Sequence, residues 1–146
     1  MSDSFDPATV LDLLPHQPPM RLIDRVERIE PGALAVAART AHPGDWYFQG
    51  HFPGEPVVPA VVLVELLAQT GGLAAASGDR TRAAPVRMRL AALGGFKFPA
   101  GAAPGAELVA TAAVRGRLGP LVRIEGEVTA DGRVVASGTL TLAELL

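Results

Sequence analysis

The stretch PAVVLVELLAQTGGLAAASG, residues 59 to 78, is the one segment of this 146-residue chain with the length and composition of a long helix. Pro59 suits a helix start, where a missing N–H costs nothing, and Gly78 suits a helix end. The upstream half is apolar on nearly every side, so the helix has to be enclosed by the rest of the chain. What can enclose it is mostly strand. Residues 85–98, 107–115, 121–129 and 133–142 have extended patterns, clearest where Val122, Ile124 and Val128 are set against Arg123, Glu125 and Glu127. Asp131-Gly132 is a hairpin signal, and Gly116 to Pro120 can make the connection before it. Upstream, Asp6-Pro7 open a short helix that Pro15 stops. Met20 to Ile29 and Ala33 to Ala41 are two more strands around the turn at Pro31-Gly32, and His42 to Val58 is loop. The expected fold is α+β: one domain over residues 1–146, with a curved antiparallel sheet wrapped around one long helix.

Composition removes several classes of function. With 49% hydrophobic and 19% charged residues and a net charge of -2, the chain is neither disordered in type nor basic enough for a nucleic-acid backbone. It has no cysteine, which excludes disulfides, thiolate metal sites and a cysteine nucleophile and fits a reducing cytoplasm. The start, MSDSFDPATV, lacks the basic and apolar segments of a signal peptide, and no apolar run reaches transmembrane length, so a soluble, cytoplasmic protein is expected. His16, His42 and His51 show no His-x-x-x-His spacing and sit among prolines, so no metal is expected, and His16 is assigned to the turn that ends the first helix. Trp46, Tyr47 and Phe48, the only aromatic cluster, are expected to pack beneath the His51 loop or line a tunnel. There is no Gly-rich phosphate loop and no Gly-x-Ser-x-Gly elbow.

Two residues do not fit a purely structural account. Glu65 has Val61 and Val62 as its upstream helical neighbours and Ala68 and Gln69 downstream. A glutamate on a solvent face would have polar residues at 58, 61 or 62, and all three are valine. Such surroundings desolvate a carboxyl and favour its neutral, proton-donating form. His51 lies in the Pro/Gly-rich loop QGHFPGEP. Removing a proton beside a carbonyl and expelling a β-hydroxyl needs a base, an acid for the leaving oxygen and a donor for the enolate-like charge. His51 can be the base and Glu65 the acid, with Gln69 holding its carboxyl. The free amides at the helix start can face the thioester oxygen, Ala60 supplying the first because Pro59 has none. Arg80, Arg82, Arg87 and Arg89 form a local positive cluster that Lys97 can join. They are either a solvated loop and strand end or a contact for an acidic carrier protein and its phosphopantetheine.

The segment QGHFPGEPVVPAVVLVELLAQ resembles the signature of the 3-hydroxyacyl-[acyl-carrier-protein] dehydratases of the hotdog fold. LLPHQPPMRLIDRVERIEPG and GGFKFPAGAAPGAEL are similar too, so the resemblance covers most of the chain. It implies that His51 and Glu65 are the catalytic pair and that Phe52, Gly54, Val57, Ala60 and Gln69 border the substrate. It also implies a homodimer or a larger homo-oligomer such as a trimer of dimers. Each site would take its two catalytic residues from different subunits, with an acyl tunnel along the interface. The substrate would ride on the phosphopantetheine of an acyl carrier protein, with no cofactor, nucleic acid or membrane insertion. Glutamate at position 65, where the related dehydratase/isomerases have aspartate, implies simple dehydration in fatty-acid or polyketide/polyene biosynthesis. Three departures stand out. Ala60 replaces the usual glycine and adds a methyl at the helix start. The basic cluster after the Phe-containing strand is reduced to Lys97, followed by Phe98, Pro99 and Ala100. The aromatic stretch usual after LLPH is QPPM, residues 17 to 20. Two other readings remain: a hotdog acyl thioesterase, against which the GHFPG loop argues, and a non-catalytic acyl-binding partner subunit, against which retention of both His51 and Glu65 argues.

Overall fold

A computed structural model describes residues 10–78 and 87–145. The helix start expected at Asp6-Pro7 lies outside them, as do Arg80 and Arg82. What is described of that first element is a 3-10 turn at Leu11–Leu13. The long helix, α1, spans Ala60–Ala76, with Pro59 as its N-cap and Ser77 as its C-cap. The strands are β1 (Arg25–Glu30), β2 (Leu34–Thr40), β3 (Met88–Lys97), β4 (Glu107–Leu118), β5 (Leu121–Ala130) and β6 (Arg133–Glu144).

All six strands join one antiparallel sheet in the order β1-β2-β4-β5-β6-β3. The β5–β6 turn has both central residues, Asp131 and Gly132, at positive φ (49° and 85°), the backbone that the right-handed twist of a two-residue hairpin requires. β2 lies next to one edge of the sheet and β3 forms the other edge, so α1, which links them, crosses one whole face. It packs on β2, β4, β5 and β6. Ala35 and Ala37 on β2 and Ala110 and Ala112 on β4 are fully enclosed in the core, and such small residues let a helix come close. Leu66, Leu67 and Leu73 of α1 fill the space against Leu108, Val122, Ile124, Val128 and Leu140. Each enclosed leucine stabilises the fold by roughly 1.5–3 kcal/mol. At the far end of the helix Arg117 Nη2 donates to the Ala75 carbonyl at 2.7 Å, satisfying one of the carbonyls a helix end leaves open.

The fold is therefore the expected hotdog arrangement, with one difference of extent. The first strand begins at Arg25, not at Met20. The Met20 carbonyl and the Leu22 N–H, which a strand would use in its ladder, are bonded instead to the side chain of Gln69 on α1. Met20 is exposed while the adjacent Leu22 and Ile23 are both buried, which is not the alternation of a strand. A side chain 47 residues away decides the backbone here.

Candidate active site

His51 stands in the loop that feeds α1. That loop is closed on itself at Val57, whose N–H donates to the His51 carbonyl at 3.0 Å. The His51 Nδ1 lies 3.0 Å from the Val57 carbonyl. A carbonyl oxygen can only accept, so Nδ1 carries a proton, and in the neutral ring this leaves the lone pair on Nε2, the form a base needs. The Phe52 ring stacks on the imidazole at 4.5 Å between centroids and is itself 60% exposed. The loop is held from below. The His51 N–H bonds to the Phe48 carbonyl, Tyr47 and Phe48 are buried, and Trp46 Nε1 reaches the Pro19 carbonyl at 3.2 Å. Beneath it, the Tyr47 hydroxyl donates to Asp45 at 2.6 Å and accepts from Arg39 Nε at 3.2 Å. Burial, with help from Asp45, pushes that hydroxyl up to about 12, and Tyr47 is locked in its neutral form. Tyr47 and Phe48 thus pack in the core next to the loop, whereas Trp46 is 44% exposed.

The start of α1 has no side-chain cap. Helical geometry leaves the Ala60 and Val61 amides without an internal acceptor, and both residues are exposed, Val61 at 75%. One and a half turns further on, Glu65 is partly buried, less enclosed than its valine neighbours predict. Gln69 Nε2 donates to Glu65 Oε1 at 3.1 Å, and the other bonds of that amide go to Met20 and Leu22. Gln69 is 1% exposed with its amide groups engaged by protein, so it grips the carboxyl and is not free to bind a ligand directly. Beside Glu65 lies His16, with Nε2 3.7 Å from Oε1. The sequence places His16 only in a turn. The structure keeps it there and adds this contact, for which the one signal in the sequence is that LLPH belongs to the segment sharing the family resemblance.

His51 and Glu65 do not line the same cavity. Glu65 borders a cavity of about 40 Å³ with Leu14, His16, Ala68, Gly72, Met88, Leu90 and Leu142, and His51 is absent from that lining. This is room for a water molecule, far below the several hundred Å³ that holds a substrate. Larger depressions exist, one of about 400 Å³ beside Ala102, Asp131 and Arg133, but neither residue lines it. Of the cations, Arg87 and Arg89 lie exposed at the start of β3 and Lys97 at its end, roughly 25 Å apart along a strand. Gly54, at positive φ, shapes the loop tip, and Val57 packs toward Gly101. Among the described residues no group of three or more potential ligands is arranged to hold a metal ion, and no helix is long and apolar enough to cross a membrane.

A family model described as the FabA-like domain matches residues 14–139. A 3-hydroxyacyl-[acyl-carrier-protein] dehydratase FabZ of Polynucleobacter necessarius is 34% identical over 140 residues, covering 96% of this chain and 93% of its own length. The enzyme of the same name from Streptococcus sanguinis is 36% identical over 139 residues, covering 95% and 97%. Among solved structures, the dehydratase heterocomplex ApeI:P from Xenorhabdus doucetiae superposes with a TM-score of 0.78 at 19% identity, covering 97% of this chain and 93% of that one. At that identity the last comparison supports the fold alone.

Proposed function

We infer the activity from one premise, that this chain belongs to the FabA-like family: it is a 3-hydroxyacyl-[acyl-carrier-protein] dehydratase, converting a carrier-bound 3-hydroxyacyl thioester into the trans-2-enoyl thioester and water. The observation that carries this is identity of about a third with dehydratases over nearly the full length of both chains.

The residue roles are our proposal, and the geometry supports them. His51 Nε2, its lone pair set by the Nδ1 contact with Val57, takes the proton from C2. Charge gathering on the thioester oxygen is met by the uncapped amides at Ala60 and Val61, where the helix dipole also favours it. Glu65, steadied by Gln69, gives its proton to the C3 hydroxyl, which leaves as water while the C2–C3 double bond forms. One proton ends on His51 and one has left Glu65, so the net reaction is loss of water, and solvent restores both groups. No cofactor enters these steps. Phe52, Gly54 and Val57 border the thioester end, and the Ala60 methyl narrows the approach to the helix start.

We propose further that one domain over residues 1–146 works as a homodimer or larger assembly in the cytoplasm. The cavity at Glu65 is too small for a substrate, and His51 is not among the residues that line it. β3 is a ten-residue edge strand exposed along most of its length, Leu93 at 52%, which a free monomer would present as a site for pairing. A second copy laid on that edge covers it and can bring its own His51 to Glu65. The acidic phosphopantetheine-bearing carrier is the partner that the basic residues of β3 suit. The deciding experiment incubates the purified protein with a series of 3-hydroxyacyl carrier-protein thioesters and follows loss of water by intact mass. Release of free thiol instead would mark a thioesterase, and no change with any chain length a non-catalytic subunit.

A further inference from the structure

We propose that His16 is a positioning residue for Glu65, which with Gln69 selects the carboxyl oxygen that bears the transferable proton. This rests on the reading of Glu65 as the acid. His16 Nε2 and Gln69 Nε2 both face Oε1, at 3.7 Å and 3.1 Å. Apart from His16 and Glu65, the cavity they share is lined by Leu14, Ala68, Gly72, Met88, Leu90 and Leu142, so its remaining surface is apolar. His16 Nδ1 is buried without a partner. An orphaned N–H is the rarer and costlier state, an orphaned lone pair the milder one, so the proton belongs on Nε2, directed at Glu65. The contact is longer than a hydrogen bond, and contacts of this kind tighten when substrate fills a site.

The backbone around His16 is built to hold it there. Leu14 and Leu22 are buried on either side. Arg21 Nε donates to the His16 carbonyl at 3.0 Å, and Gln69 clamps Met20 and Leu22 onto α1. Gln69 therefore serves both partners, orienting the carboxyl directly and fixing the segment that presents the imidazole. A neutral carboxylic acid donates through one oxygen and accepts through the other. The Gln69 bond, with His16 Nε2 closing on the same oxygen, makes Oε1 the acceptor, which leaves the proton on Oε2 to meet a substrate hydroxyl.

The test uses the full-length protein in five forms: parent, His16→Leu, His16→Gln, Glu65→Gln and the double variant His16→Leu/Glu65→Gln. Each is checked for fold and melting temperature, then assayed for kcat and KM on a carrier-bound 3-hydroxyacyl substrate. His16→Leu is expected to lower kcat by about tenfold to a hundredfold, the worth of one hydrogen bond to a charged or reacting group, with KM within about twofold. His16→Gln, whose amide N–H can take the place of Nε2–H, should recover most of that loss. In the Glu65→Gln background, removal of His16 should cost nothing further, because the group it acts through is gone. Unchanged kcat in folded His16→Leu overturns the proposal, as does an equal loss in both backgrounds or a failure of His16→Gln to recover. If His16→Leu does not fold, His16→Asn, polar but too short to reach Oε1, replaces it with the same expectations. Normal turnover in Glu65→Gln would instead remove the acid assignment itself, an outcome separate from any result at His16.

Discussion

Gln69 concentrates much of the molecule's order in one side chain. Its amide serves Leu22, Met20 and Glu65 while remaining 1% exposed. Replacing it by leucine keeps the volume but orphans a buried N–H and a carbonyl. Gln69→Leu is therefore expected to lose about 2–4 kcal/mol of stability, read as a fall in the urea midpoint. A loss below about 1 kcal/mol would mean that water replaces the amide. His51→Ala should behave oppositely, with little change in stability, since one loop contact is worth about 1 kcal/mol, and a loss of turnover of roughly a hundredfold to ten-thousandfold. Glu65→Gln keeps the shape and an acceptor for Gln69, and should match the parent in melting while turning over slowly; normal turnover with a lowered melting temperature would identify a structural carboxylate. The single tyrosine offers a clean titration. Tyr47 is raised from 10.0 to about 12 in the folded protein. A raised value means the native state holds its proton more tightly than the unfolded chain, so this contribution to stability is complete below pH 10 and lost as pH rises through 12. Tyrosinate absorbance should appear near pH 12, and a midpoint near 10 would show a hydroxyl open to solvent.

At the scale of elements, the two ends of β3 and the C-terminus of α1 carry the consequences. The backbone of Gly78 passes so close to that of Gly32, in the β1–β2 turn, that a Cβ on Gly78 would lie 2.9 Å from Gly32 Cα. Ser77 Oγ accepts from the Gly32 N–H in the same place. The helix end and the turn are thereby joined backbone to backbone, a contact legible in neither element alone. On β3, Arg89 and Lys97 are too far apart within a chain to act as one patch. Two copies of β3 paired edge to edge about a two-fold axis run antiparallel, which brings the Arg89 end of one subunit toward the Lys97 end of the other. Arg89→Glu with Lys97→Glu is expected to raise KM for a carrier-bound substrate and weaken its salt dependence, while a short pantetheine mimic is turned over almost as before. Equal losses on both substrates would assign these residues to the fold or the tunnel.

At the scale of the whole molecule, the prediction follows from the proposal that each site is divided between copies. Mixing inactive His51→Ala and Glu65→Gln subunits and allowing exchange should restore about a quarter of parental activity, since half of randomly assorted dimers are mixed and each carries one intact site of two. No recovery after exchange confirmed by mass would place both groups in one chain. The sequence by itself determined the fold to this resolution because its signals are local: twofold alternation marks strands such as Val122 to Val128, Asp131-Gly132 marks a hairpin, and an apolar run of helical length must be enclosed wherever it goes. Glu65 stood out for the same reason, a carboxyl out of keeping with its helical neighbours. The tertiary structure alone decided what those neighbours could not encode. It turned Met20 to Asp24 away from strand geometry, because Gln69 takes the backbone groups a ladder would use. It placed His16 against Glu65 across 49 positions of sequence, and it separated Arg89 from Lys97 along a strand. Periodicity reports which face of an element a residue occupies. Which distant residue shares that face depends on how the elements cross, and here α1 carries the chain from one side of the sheet to the other.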